Sequence, residues 1–261
     1  MSVPCQARRG LFALLLLTAL GPCRAAPLLQ VEGTQFVLRQ DDGVVLRSAD
    51  LVGAELALPE GVTLRIDAVE RDARDADVWL HRLSLRGADG AWHEACDADP
   101  EGHRAGFPLA ARWDAHGRFH ADAQHFSLSC TSGAEAKCVR YGYKFWKTAP
   151  DGAPLHAEYE ACVHMARADY CGDGVPATRN GTTIDVYDRH GVQRAETGPD
   201  FRFEAGWSPT GAVCVAHPRI PELLTLEQLR ARCPRLTAAL GEVCTEEEAR
   251  ARGAVLFNRS R

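Results

Sequence analysis

The sequence predicts an α+β fold in two parts: a mainly antiparallel β part over residues 26–125, then a mixed β/helix, disulfide-rich part over 126–261. Three observations predict it. Period-two alternation of apolar residues, broken by turn signals, fills the first part. Helical spacing and two capping boxes are confined to the second. Eight cysteines, from Cys96 to Cys244, form an even set available for disulfides.

The chain opens with a leader. Arg8 and Arg9 precede an unbroken apolar run from Leu11 to Leu20, followed by Gly21, Pro22 and the small residues Ala25 and Ala26. That is the layout of a secretory signal peptide over residues 1–25, cut after Ala25. About ten apolar residues are too few to span a bilayer, which needs roughly 20. No later stretch is long and apolar enough, so no transmembrane segment is expected in the mature chain. A lipoprotein box at Leu20-Gly21-Pro22-Cys23 is disfavoured by its proline. A twin-arginine reading of Arg8-Arg9 suits a disulfide protein badly, because that route exports folded proteins from a reducing compartment. The expectation is an exported protein, periplasmic or extracellular. Cleavage removes Cys5, Cys23, three arginines and no acid, taking the formal charge from −5 to −8 over 236 residues. An acidic mature chain argues against nucleic acid or anionic membrane as partner, since phosphate neutralisation needs a basic face.

In the β part, Val62, Leu64, Ile66 and Ala68 alternate with polar residues as a half-buried strand. Asp41-Asp42-Gly43 and Ala88-Asp89-Gly90 separate apolar runs as hairpin turns. Trp79, His81, Leu83 and Leu85 share one face of the strand before the second turn. Trp92 opens the strand after it, which ends at Cys96. The polar stretch from Asp97 to Gln124 reads as a long irregular connection.

In the second part, Cys138 to Lys147 reads as an extended aromatic strand. Leu155, Tyr159, Cys162, Val163 and Ala166 recur at helical spacing, with Gly172 as the C-cap glycine. Asn180-Gly181 signals a type I′ hairpin, and Ile184 and Val186 mark the buried face of the following strand. Thr225 with Gln228, and Thr245 with Glu248, are capping boxes that start short helices, the first ending at Cys233-Pro234.

The cysteines Cys96, Cys130, Cys138, Cys162, Cys171, Cys214, Cys233 and Cys244 are read as disulfides. There is no Cys-x2-Cys pair for a zinc ribbon and no odd thiol left over as a nucleophile. If Val163 to Tyr170 is helical, Cys162 and Cys171 stand about 13.5 Å apart on opposite faces and take different partners. Cys233 is expected to pair with Cys244 across a short loop. A link from Cys214 to either tail cysteine is the rival.

A segment reading Met165-Ala-Arg-Ala-Asp-Tyr-Cys-Gly-Asp-Gly174 resembles the bacterial ADYC domain family, through the run Ala168-Asp169-Tyr170-Cys171. The likeness extends to Ala136-Lys137-Cys138-Val139, Gly142-Tyr143-Lys144, Asn180-Gly181-Thr182 and Phe203-Glu204-Ala205 before Trp207. It also reaches Leu51 to Glu55 and Leu109 to Asp114. The resemblance implies an exported bacterial protein and brings no catalytic residues with it. An excess of arginine over lysine, with abundant alanine, also fits a GC-rich bacterial genome.

His164, Asp169, Asp173 and Asp185 are the acid–base candidates. Five residues of helix put His164 and Asp169 roughly 140° apart, so they are not expected to share a face. There is no Gly-x-Ser-x-Gly elbow, His-Glu-x-x-His motif or phosphate loop. A calcium reading of Asp169, Asp173 and Asp185 lacks the EF-hand pattern, so no metal and no cofactor are expected. Every lysine of the protein, Lys137, Lys144 and Lys147, falls in the aromatic stretch. Read as a strand, it turns Val139, Tyr141, Tyr143 and Phe145 into the core. Arg140, Lys144 and Trp146 then face outward, as an ordinary basic edge or as a surface for a glycan or other envelope component. The expected function is a non-catalytic exported module of the bacterial envelope or extracellular space, with a binding or structural role. The alternative is a secreted hydrolase using His164 with nearby carboxylates.

Overall fold

A computed structural model describes residues 28–114, 118–196, 198 and 200–261, so the expected leader and cleavage site lie outside the described residues. The first part is built of strands. A three-stranded antiparallel sheet joins β1 (Leu28–Glu32), β2 (Gln35–Arg39) and β3 (Val45–Arg47). A larger antiparallel sheet begins with β4 (Glu55–Ala57), β5 (Thr63–Arg71), β6 (Trp79–Arg86) and β7 (Trp92–Glu94). The Asp41-Asp42-Gly43 and Ala88-Asp89-Gly90 turns sit between β2 and β3 and between β6 and β7, as the alternation predicts. Leu64 and Ile66 are fully buried. A bulge after Ile66 then hands the inward face from Ala68 to Val69, which packs with them.

The stretch expected to be irregular carries three strands: β8 (Gly106–Leu109), β9 (Ala111–Trp113) and β10 (Phe119–Ala121). They are short, and all four residues of β8 are buried, while β9 and β10 each bury one residue of three. No polar–apolar alternation therefore marks them. With β11 (Ser127–Cys130), the larger sheet runs β11-β8-β6-β5-β4, and β7 pairs with β6.

The stretch expected as a strand is a helix followed by tight turns. α1 (Ala134–Arg140) has the sequence AEAKCVR, mostly good helix formers, and Gly142 at φ 98° stops it. The aromatic alternation belongs to the turns beyond it. α2 (His156–Arg167) lies beside α1 and is tied to it by Cys138–Cys162. α2 ends at Arg167, three residues before the expected Tyr170, because Ala168 adopts φ 50° and reverses the chain.

β12 (Asp185–Asp188), β13 (Arg202–Ser208) and β14 (Gly211–Val215) precede α3 (Leu226–Arg232), α4 (Glu246–Ala251) and β15 (Leu256–Ser260). Both helices start on the expected threonines: the Thr225 and Thr245 hydroxyls accept from the Gln228 and Glu248 amides. The second sheet has the order β12-β15-β13-β14, so the last strand lies between two earlier ones. Asn180-Gly181 makes a turn but no hairpin, since β12 pairs only with β15.

The principal core draws on β6, β8, α1, α2 and β13, with Phe107, Tyr143, Tyr159, Met165 and Trp207 fully buried at its centre. All eight cysteines are oxidised, in four disulfides whose Cα atoms are 5.4–5.8 Å apart. Cys162 and Cys171 take different partners, as expected. The Cys233–Cys244 pairing is wrong: Cys233 bonds Cys171 and Cys244 bonds Cys214. A 3-10 segment, Pro234–Ala239, packs against β14 and keeps the two tail cysteines apart, each over a different part of the body.

Candidate functional site

The reversal at Ala168 creates what a continuous helix would forbid. It swings Asp169 back toward His164, and Asp169 Oδ2 lies 2.9 Å from His164 Nδ1. His164 Nε2 faces the Pro209 carbonyl at 3.1 Å. The carboxylate also collects the next turn: Oδ1 accepts from the Gly172 and Asp173 amides at 2.9 and 3.1 Å, and Oδ2 from Gly174 at 2.8 Å. Burial pushes the Asp169 carboxyl up, but the His164 hydrogen bond and charge and the amides outweigh it and hold the carboxyl below its usual range. The side chains are 3% and 1% exposed, and each of these contacts is made to the protein's own chain.

Tyr170 points the other way, stacking on Trp207 with centroids 5.2 Å apart. Its hydroxyl donates to Glu204 Oε1 at 2.9 Å and accepts from the Arg219 amide at 2.8 Å. Arg219 grips both Glu204 oxygens at 3.1 and 3.0 Å, and Asn258 donates to Oε2 at 2.7 Å while accepting from Trp207. Glu204, Arg219 and Asn258 were not among the sequence candidates. Their pairing spans three distant segments, and only Phe203-Glu204-Ala205 stood out in the sequence. Cys171 then staples the turn to Cys233. A Cβ on Gly172 would meet the Thr210 carbonyl oxygen at 2.2 Å, so only glycine fits there. Arg235 donates to the carbonyls of Tyr170, Cys171, Thr210 and Ala212 around the same turn.

The other acid candidates stand apart. Asp173 pairs with Arg232 at 2.8 Å on the surface. Asp185, at the start of β12, accepts from the Glu196 amide at 2.9 Å and lies 3.9 Å from Arg259. Among the described residues, neither side-chain carboxylate bonds to His164 or Asp169; Asp173 reaches Asp169 only through its backbone amide. Of the outward-facing trio, Arg140 pairs with Asp72, Asp99 and Glu101, at 2.6, 3.5 and 3.4 Å. Lys144 is buried, 2.6 Å from Asp75, and Lys147 pairs with Asp77. Trp146 packs on Gly33 and edge-on to Phe145. These cations fasten the α1 region to the β5–β6 connection. Tyr143 is buried as expected and donates to Asp188 at 2.9 Å, whereas Tyr141 is only half-buried.

Lys137 differs from its neighbours. It lies on α1, and among the described residues it closes no ion pair or hydrogen bond. Burial pushes its amine down, the Arg219 charge adds to this, and Glu101 and Asp99 oppose it, leaving the amine below the usual lysine range. Lys137 stands on the shared wall of two recesses, of ≈ 220 and ≈ 260 Å³, that also share Pro100 and Gly181. Arg74, Arg140 and Tyr141 line the first and Asp99 the second. Asp99, Glu101 and His103 converge here, but Arg140 already supplies the positive charge between the two acids. The sequence signal for this cleft lies in Ala136-Lys137-Cys138 and Asn180-Gly181-Thr182, both of which contribute lining residues.

The ADYC domain model matches residues 48–221, about two thirds of the chain. The chain belongs to the ADYC domain family. No curated protein and no solved structure matches it.

Proposed function

We propose that this ADYC domain protein is a non-catalytic module exported to the bacterial envelope or the extracellular space, with a binding role. The observation that carries the reading is the saturation of the His164–Asp169 pair. A general base must reach a substrate proton directly or through one water. Here both ring nitrogens face acceptors of the protein itself, and the ring is 3% exposed. Four disulfides support export, because such bonds persist in oxidising compartments. Among the described residues no helix is long and apolar enough to cross a membrane.

Diethyl pyrocarbonate modification of the native protein, read by peptide mass spectrometry, tests the reading. The exposed rings of His93 and His125 are expected to react while His164 stays protected. A His164 that reacts as fast as those two would return it to a catalytic role.

A further inference from the structure

We propose that the cleft at Lys137 binds a sugar carrying a single carboxylate, an inference that rests on the binding-module reading above. Four observations lead there. The Lys137 side chain is half-buried in a recess, and among the described residues its ammonium makes no hydrogen bond or ion pair, so its donors are open to a ligand acceptor. Glycine and polar side chains, not a closed apolar wall, line the joined recesses, among them Asn180, Thr182 and Ser132. Such groups suit hydroxyl-bearing ligands. Tyr141 adds a half-buried aromatic ring to the same wall, as sugar faces require. The size of the two recesses suits a ring or two, at the small end of ligand pockets of roughly 300–1,000 Å³.

The charge balance sets the ligand charge. Arg74 and Arg140 are already engaged by Glu101, Asp72 and Asp99, so neither guanidinium is open to a ligand, and with Lys137 three cations face three acids. Of the cations lining the cleft, Lys137 is the one with no ion pair among the described residues. A polyanion such as nucleic acid or polyphosphate would bring several charges up to the three carboxylates Asp72, Asp99 and Glu101, while a single carboxylate can be taken by the open donors of Lys137. The carboxylate would also favour the charged state of Lys137 that burial disfavours.

Three probes test this on the mature, disulfide-bonded protein by amide chemical-shift titration: methyl glucuronide, methyl glucoside and acetate. The glucuronide is expected to shift Tyr141, Gly181 and Thr182, with the glucoside and acetate each at least about tenfold weaker. Lys137→Gln should lose the glucuronide preference, and Lys137→Arg, which keeps the charge, should retain it. Unchanged cysteine pairing and melting temperature would show both variants folded. Equal binding by acetate would reduce the site to a simple anion site and overturn the sugar assignment. Undiminished glucuronide binding by Lys137→Gln, or no glucuronide binding by the wild type, would overturn the site itself. Either failure leaves the non-catalytic reading standing on the protection of His164.

Discussion

Two polar clusters flank the helical part of this protein and are built in opposite ways. Around the ADYC turn, His164, Asp169, Glu204 and Arg219 are almost wholly buried, and each meets partners on the protein's own chain. At the α1 cleft, Lys137 is half-buried and meets none among the described residues. Both contain residue types that attract a catalytic reading. The difference lies in what the groups have left to give. A buried polar network with its valences filled fixes one conformation, whereas an unmatched cation in a recess is free for a ligand.

The contrast can be broken by removing groups from each side. Arg219→Ala strips Glu204 of its bidentate partner in a site with no solvent access. Removing one partner of a buried pair typically costs about 3–5 kcal/mol, so a loss of that size is expected in urea denaturation. A loss below about 1 kcal/mol would mean the network is not structural.

Acid denaturation sharpens the picture next. His81 is fully buried, and burial depresses its ring to about 4 from an ordinary 6.5, although the Trp79 carbonyl opposes this. The folded state therefore holds His81 neutral while the unfolded chain takes up a proton below about pH 6.5. Its contribution is fully present above that pH and is lost as pH falls toward 4, by about 3 kcal/mol. Asp169 has the same sign in a lower window, its stability present above the ordinary carboxylate range and lost as pH falls through its depressed value. Urea titrations at successive pH values should show two acid steps, and His81→Gln should flatten the upper one.

His164→Gln is expected to cost about 1–3 kcal/mol, through the Asp169 and Pro209 contacts it leaves unmatched. Lys137→Gln should change stability by no more than about 0.5 kcal/mol, since no contact is lost. A thermal-melt series on the two variants checks the pair. Equal effects would erase the distinction between the clusters.

How much was legible in the sequence follows from how local each signal is. Turn dipeptides, the β5 alternation and the threonine caps are local, and they stand where expected. The stretch from Cys138 to Lys147 imitates a strand because the aromatics that follow α1 alternate, while the helix formers of α1 and the Cys138–Cys162 bond set its start as helix. The His164–Asp169 contact was hidden by a single residue. Nothing about Ala168 announces a left-handed backbone, a conformation alanine seldom adopts, and without it the two side chains diverge. The tail pairing failed for a similar reason: two cysteines close in sequence are held over different elements by a rigid 3-10 segment.

The bonds gathered by Asp169 make the ADYC turn a locked structural staple and not a mobile loop. Native-state hydrogen exchange of the Gly172, Asp173 and Gly174 amides, the three donors to Asp169, tests it most directly. All three are expected to exchange only with global unfolding, at the free energy shared by the β13 amides. Exchange at the rates of an open loop, with β13 still protected, would contradict it.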